Sequence, residues 1–183
     1  MTLKRQRFRL RHLAAAALVL FVLWTGFLYA IGGSWRAWRR LGVAGLWTLR
    51  GTNKVEAFRV EPQQNRNSKN LNIGGHDIRR QGRDLAPDAI NLFRTELLRA
   101  SNEDLDFFGP HKGCEPEPGV AFRVWHGSRH TDVLVCYSCE QLWAVNPQRR
   151  PVVDFDMVRA PLVKLAKAAF PKDKEIQALT EQQ

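Results

Sequence analysis

The sequence predicts an α+β protein with one N-terminal transmembrane helix and a small antiparallel sheet of four or five strands that carries two amphipathic helices on one face. Three observations support this fold class. Residues 13–35 carry no charge. Short runs rich in valine and aromatic residues, separated by glycine and proline, occur later in the chain and are typical of strands. Residues 87–100 and 161–170 repeat apolar side chains at helical spacing.

The positive charge of the chain is concentrated near its N-terminus. The 183 residues include 28 Lys and Arg against 18 Asp and Glu, a formal net charge of +10. Eight of these basic residues and none of the acidic ones lie within residues 1–40, so the remainder carries 20 basic and 18 acidic side chains. A nucleic-acid-binding domain needs a basic face of its own. The nearly neutral remainder therefore argues against nucleic acid as a partner.

The uncharged run of residues 13–35 predicts a transmembrane helix, because about 20 apolar residues suffice to cross a bilayer core. The run is longer than the apolar core of a cleaved signal peptide and lacks a small-residue cleavage site, which favours an uncleaved signal anchor. Residues 1–12 contain five basic side chains. By the positive-inside rule this segment is predicted to be cytoplasmic, and the following domain is predicted to lie on the outer, periplasmic or extracellular, side.

Aromatic and basic residues at the end of the run are predicted to contact membrane lipid, because amphipathic rings and cations favour the headgroup region. They are Trp35, Arg36, Trp38, Arg39 and Arg40. Residues 36–53 form a predicted juxtamembrane linker. The folded domain is predicted over residues 54–171, and the polar residues 172–183 are predicted to be a fraying C-terminal tail.

The first half of the domain contains one clear strand and one clear helix. Residues 54–61 predict a strand, and residues 63–75, rich in Asn and Gln, predict a loop. A short second strand is predicted to begin at His76. The helix over residues 87–100 starts with Pro87, a residue that suits the first helical position.

Residues 119–127 and 131–137 predict a β-hairpin around the turn of residues 127–130. In the predicted register Ala121 lies opposite Cys136. One face of the hairpin is apolar and predicts a core, which consists of Val120, Phe122, Val124, Val133, Val135 and Tyr137.

The opposite face of the hairpin is mixed in polarity. Arg123 and Asp132 lie diagonally across the two strands at a spacing that suits an ion pair, and Trp125 lies on the same face. Aromatic and Arg side chains are enriched in protein interfaces. We therefore predict that Arg123, Trp125 and Asp132 contact a protein partner.

The last two elements complete the predicted sheet and its helical layer. Residues 141–146 predict a short strand, which Pro147 ends. Residues 161–170 predict the second amphipathic helix, with apolar residues on one side and two lysines on the other. Pro171 stops this helix because proline cannot continue it.

The three cysteines, Cys114, Cys136 and Cys139, allow four interpretations. A thioredoxin-like pair would need a helix starting at Cys136, and a proline follows too soon for one. A structural zinc site could use His111, Cys114, Cys136 and Cys139 as a tetrahedral ligand set. In an oxidising compartment, Cys114 could instead form a disulfide with Cys136 or Cys139. The fourth interpretation is three reduced, buried thiols.

The sequence contains no motif for nucleophilic, phosphate-binding or metalloprotease chemistry. His126, His130 and Asp132 cluster around the hairpin turn, but such a turn is more often a solvated loop, and no catalytic residue is predicted. We expect a non-catalytic, membrane-anchored domain that binds a protein partner or serves as an accessory subunit, without a cofactor. The alternative is a structural-zinc domain or metal-dependent enzyme that uses the His and Cys residues of 111–139.

Overall fold

The computed structural model describes residues 16–27, 45, 47–65, 69–97, 113–145 and 153–181. The chain divides into two compact units, Met1–Trp35 and Arg36–Gln183. The described part of the first unit is one helix, α1 (residues 16–27), whose large apolar side chains are exposed. The sheet and the other described helices belong to the second unit.

The prediction of a transmembrane helix over residues 13–35 is wrong. Within the described ranges, no helix is both long enough and apolar enough to cross a membrane. At 1.5 Å of rise per residue, the described residues of α1 span about 18 Å, whereas the bilayer core is about 30 Å thick. The predicted signal anchor and single-pass localisation, with the domain on the outer side, are contradicted with it. The basic segment of residues 1–12 and the predicted lipid contacts Trp35, Arg36, Trp38, Arg39 and Arg40 lie outside the described residues.

One antiparallel sheet forms the body of the second unit. Its strands are β1 (Lys54–Gln64), β2 (Asn72–Ile73), β3 (His76–Gln81), β4 (Val120–His126), β5 (Arg129–Cys136), β6 (Gln141–Ala144) and β7 (Val153–Asp154). In space they follow the order β2-β3-β1-β4-β5-β6-β7. The sheet is therefore larger than the predicted four or five strands. The difference arises because β2 and β7 have 2 residues each, too few for an alternating pattern to reveal.

Short helices accompany the sheet. They are α2 (residues 47–50), α3 (Pro87–Asn91), α4 (Arg159–Ala169) and α5 (Lys174–Gln177). A π-helical turn, Leu92–Glu96, continues α3, and a 3-10 turn, Asp156–Val158, leads into α4. Helix α4 begins before the predicted start at Pro161, because proline is tolerated within the first turn, where its missing N–H would have no helical partner.

The predicted core face of the hairpin is buried. Its six residues, Val120, Phe122, Val124, Val133, Val135 and Tyr137, are at most 7% exposed. The ring of Phe93, in the π-helical turn, lies 5.4 Å from the ring of Phe122. The Tyr137 hydroxyl donates a hydrogen bond to the Leu162 backbone oxygen of α4 at 2.9 Å. The π-helical turn and α4 thus both pack against this face of the sheet.

The opposite face of the sheet is also buried over much of its length. A second apolar cluster there contains Phe58, Val60, Ile73, Ala121, Leu134, Cys136, Cys139 and Trp143. Irregular pairing of β1 with β3 at Val60 bends the sheet at this point. Gly74, in the β2–β3 turn, consequently lies against the side chains of Leu134 and Val145. The sheet curls over the second cluster as a half-barrel.

The β4–β5 hairpin turns one residue earlier than predicted, at residues 127–128. Ala121 pairs with Leu134 rather than with Cys136, so the predicted register is wrong by two residues. Gly127 has a φ of +59° and occupies the first loop position, where both common two-residue turns require a positive φ. A shift of two residues leaves every side chain on its original face, so the predicted division into two faces is unaffected.

The described part of residues 172–183 docks onto the sheet and does not fray as predicted. Ile176 of α5 is buried, and Asp173 caps this helix by accepting hydrogen bonds from the backbone N–H groups of Glu175 and Ile176. The buried guanidinium of Arg59 places its Nε 2.9 Å from the Asp173 carboxylate. Burial raises the pKa of Asp173, but the Ile176 hydrogen bond and the nearby charges of Arg59 and Arg80 outweigh it, and the net pKa is lowered.

Asp173→Asn is expected to destabilise the protein by about 1 kcal/mol at neutral pH, chiefly through the lost charge, because Asn caps helices about as well as Asp. The folded-state pKa of Asp173 is lowered, so its ionic contribution is present above the unfolded-state pKa and is lost as the pH falls through the folded-state pKa. Urea unfolding of both proteins at several values from about pH 7 down to about pH 2 should show the difference shrinking below about pH 4. A difference that stays constant over this range would contradict the ion pair.

Gly74→Ala is expected to destabilise the protein more than its matched control, Gly127→Ala. Both glycines have positive φ, so both substitutions add about 1 kcal/mol of backbone strain. A Cβ at Gly74 would lie 2.9 Å from atoms of Leu134 and of Val145, whereas one at Gly127 meets nothing within 4 Å. Overpacking should add about 1–3 kcal/mol at Gly74. Equal losses in denaturant unfolding would contradict the curled sheet.

Candidate functional site

Two of the three cysteines are bonded to each other. Cys114 and Cys139, 25 residues apart in sequence, form a disulfide whose Cα atoms are 6.1 Å apart, and Cys136 is a buried free thiol. This pair is one of the two disulfides that the sequence analysis predicts for Cys114. It differs from the interpretation in which all three thiols are reduced.

The disulfide removes two ligands from the predicted zinc set. Cys114 and Cys139 cannot act as thiolate ligands while they are bonded to each other, and His111 lies outside the described residues. In the part of the chain that the structure describes, no group of three or more His, Cys, Asp or Glu residues is placed to hold a metal ion. Zinc binding and the disulfide are mutually exclusive uses of the same sulfur atoms.

The disulfide ties the chain before β4 to the turn that joins β5 and β6. Cys139 lies in that turn, residues 137–140, with its Sγ 3.5 Å from the Glu115 backbone oxygen. At the other end, the Gly119 N–H donates to a backbone oxygen of β5 at 3.2 Å. Residues 114–118, which we call the stapled segment, are therefore fixed at both ends.

The turn of residues 137–140 is braced by a buried arginine that the sequence does not single out. Arg159, at the start of α4, donates through Nη1 to the Tyr137 backbone oxygen at 3.2 Å, and the same nitrogen lies 2.9 Å from Oε1 of Glu140. Glu140 itself has a φ of +55°, a left-handed conformation that is uncommon for residues other than glycine. Burial raises the pKa of the Tyr137 hydroxyl, which therefore remains a donor to α4.

A groove of about 520 Å³ lies beside the stapled segment. It is referred to below simply as the groove. Its lining residues are Pro62, Gln63, Gln64, His76, Glu115, Pro116, Glu117 and Trp143. One wall is the stapled segment, the other is the end of β1, and the buried side chains of His76 and Trp143 come from β3 and β6. Four separate stretches of sequence thus meet only because the sheet curls.

The hydrogen bonding of His76 defines the tautomer of its neutral ring. Its Nδ1 lies 2.9 Å from the Glu61 backbone oxygen, and the ring is 3% exposed. A carbonyl oxygen only accepts hydrogen bonds, so Nδ1 must carry the proton in this pair. In the neutral ring, Nε2 is then an acceptor. The sequence shows His76 only as the start of a strand and does not predict its place at the groove.

The groove is acidic although the chain as a whole is basic. Glu115 and Glu117 are exposed carboxylates, and the lining residues that the structure describes include no Lys or Arg. Pro62, Pro116 and Trp143 add apolar surface, and two glutamines supply amide donors and acceptors. The lining therefore suits a cationic ligand that also presents hydrogen-bonding and apolar groups.

A second depression, of about 430 Å³, lies where α5 meets the sheet, and its charges are used internally. The guanidinium of Arg59 pairs with Asp173 and Glu175 there, and Arg80 pairs with Asp173 at 2.5 Å. Arg79 pairs with Glu61, also at 2.5 Å. These ion pairs give the depression a structural role in holding the C-terminal residues.

The predicted contact residues Arg123, Trp125 and Asp132 lie together on one sheet face but do not line the groove. Arg123 donates through Nε and Nη2 to the two Asp132 carboxylate oxygens at 2.7 and 2.9 Å, and the two residues are directly opposed rather than diagonal. These hydrogen bonds raise the pKa of Arg123. Trp125 Nε1 donates to Glu56 at 2.7 Å. The polar groups of this surface therefore already have partners within the sheet.

Comparison with protein-family models, with curated proteins and with solved structures finds no match to this chain. The chemistry of the groove therefore stands on the geometry of its own residues.

Cys114→Ala is expected to lower the free energy of unfolding by about 3 kcal/mol, the chain-entropy value for a closed loop of this length. Cys114 is exposed, so the loss of its side chain alone should cost little. Denaturant unfolding with and without dithiothreitol measures the effect, and the reduced wild type should match the reduced variant. A difference that persists after reduction would show that Cys114 contributes by some other means.

Proposed function

We propose that the second unit is a non-catalytic binding domain whose groove receives a short basic segment of a partner protein. The observation that carries this proposal is a groove walled by Glu115 and Glu117, with no basic residue among its described lining, in a chain of net charge +10. The disulfide supports it because it holds both carboxylates in place before any ligand arrives. Preorganised groups lose less entropy on binding.

The two carboxylates are suited to recognising Lys or Arg side chains. Both are exposed, so each ion pair should contribute at most about 1 kcal/mol. Their main effects are then on the rate of association and on charge selectivity, because complementary potentials steer encounter and repel ligands of like charge. An anionic segment would meet two carboxylates of like charge and should be excluded.

The rest of the lining is suited to a short peptide rather than a lone cation. The volume of about 520 Å³ falls in the range that accommodates small ligands of a few residues. Gln63 offers amide groups that can bond a peptide backbone, and Pro62, Pro116 and Trp143 offer rigid apolar contact, which costs little conformational entropy. A partner segment that alternates basic and small apolar residues would use both kinds of surface.

The double variant Glu115→Gln/Glu117→Gln is expected to bind a fluorescent oligolysine peptide about tenfold more weakly than the wild type, since two exposed charge contacts are lost. Fluorescence anisotropy with the full-length, oxidised chain measures the affinity. The wild type should also lose affinity as salt is added, and the double variant should respond less to salt.

The matched control is Glu181→Gln, which neutralises an exposed glutamate outside the groove that lies 3.6 Å from Lys164. This variant should bind oligolysine as the wild type does. The proposal fails if the double variant keeps wild-type affinity, or if oligoglutamate binds as tightly as oligolysine.

A further inference from the structure

The free thiol lies close to the disulfide in sequence and shares a buried cluster with one of its two cysteines. Cys136 ends β5, and Cys139 follows it by one turn. Both belong to the same buried apolar cluster, with 0% and 6% exposure. Cys114, in contrast, is exposed and approaches this cluster through its bond to Cys139. Cys139 is thus bonded to Cys114 and lies in the same cluster as Cys136.

We propose that Cys136 exchanges with this disulfide, taking Cys139 as its new partner and releasing Cys114. In this step the Cys136 thiolate attacks Sγ of Cys139, the Cys114–Cys139 bond breaks, and the Cys136–Cys139 bond forms. Cys114 leaves as a thiolate and takes up one proton, which balances the proton that Cys136 gave up. One disulfide is present before and after, so the step needs no oxidant or reductant.

A hydroxyl group beside Cys136 can assist attack at Cys139. The Cys136 Sγ lies 3.3 Å from the Ser138 hydroxyl oxygen, a group that can donate a hydrogen bond to a thiolate. The turn of residues 137–140 carries both this hydroxyl and Cys139. The product disulfide would span a Cys-x-x-Cys sequence, a spacing that supports disulfides in oxidoreductases.

The exchange would open one wall of the groove without unfolding the sheet. Gly119 remains fixed, because its N–H donates to β5 and its carbonyl oxygen accepts from Arg59 Nη1 at 2.7 Å. Release would therefore stop before Gly119 and would include Glu115 and Glu117. The sulfur pairing would thus set whether the two carboxylates are held at the groove, and this regulatory role rests on the function proposed above.

Disulfide mapping of the full-length protein tests the exchange. The oxidised chain is incubated without reductant in mildly alkaline buffer, alkylated with N-ethylmaleimide, digested and examined by mass spectrometry. The wild type should accumulate alkylated Cys114 together with a Cys136–Cys139 linked peptide, and Cys136→Ala should show neither. The proposal is overturned if Cys136 is the only alkylated cysteine at every time, or if a Cys114–Cys136 link replaces the original one. The wild-type connectivity decides the matter even where Cys136→Ala does not fold.

Oligolysine binding separates this inference from the proposed function. If exchange occurs and its product binds oligolysine less well than the starting form, both stand. Exchange in a protein that never binds oligolysine would remove the proposed function and leave the sulfur chemistry intact. Oligolysine binding that needs Glu115 and Glu117, in a protein whose connectivity never changes, would remove the exchange alone.

Discussion

The covalent link between Cys114 and Cys139 is the constraint on which the groove depends. Apart from the buried Pro118, the stapled segment has few other restraints in the described structure, since Glu115 and Glu117 are exposed and prolines at 116 and 118 offer no N–H. Burial therefore does not position the two carboxylates, and the described backbone hydrogen bonds to the sheet begin at Gly119, the residue after the segment. The disulfide supplies the missing restraint by removing conformational freedom from the unfolded chain.

Two buried arginines extend this restraint to the C-terminal residues. Arg59 joins the Gly119 oxygen to Asp173 at the start of α5, and Arg159 joins the Tyr137 oxygen to Glu140 and to the Thr180 oxygen. Gly119 and Tyr137 border the two stretches that the disulfide bridges. A buried charge is tolerated when several hydrogen bonds replace its hydration, and each arginine meets this condition. The same two arginines thus contact both the docked C-terminal residues and the backbone next to the disulfide-linked wall of the groove.

The sequence predicted the structure well where the periodicity of apolar residues along one element decides it. It predicted the structure poorly where segments distant in sequence come into contact. Alternation along β4 and β5 identified the buried face even though the turn was misplaced, because a two-residue slip preserves faces. The absence of charge in residues 13–35 predicted a transmembrane helix, whereas no helix in the described part of the chain is long and apolar enough to cross a membrane. Arg59 and Arg159 look like ordinary surface residues until burial is known. The sequence did not predict the groove, because its four stretches of chain meet only through two features of the fold. These features are the bend in β1 and the pairing of Cys114 with Cys139 rather than with Cys136.

The local acidity of the groove, rather than the net charge of the chain, decides which ligands it attracts, because salt screens electrostatic interactions between distant exposed charges. At physiological ionic strength, exposed charges are screened beyond about 8 Å. The net charge of +10 arises mostly from residues 1–40, and the remaining chain carries 20 basic and 18 acidic side chains. For a ligand in the groove, Glu115 and Glu117 are the charges within reach among the lining residues, and Arg79, which faces Glu61, is already paired. The proposed selectivity for a basic segment therefore rests on two local carboxylates and the disulfide that restrains their segment, whatever the sign of the net charge of the whole chain.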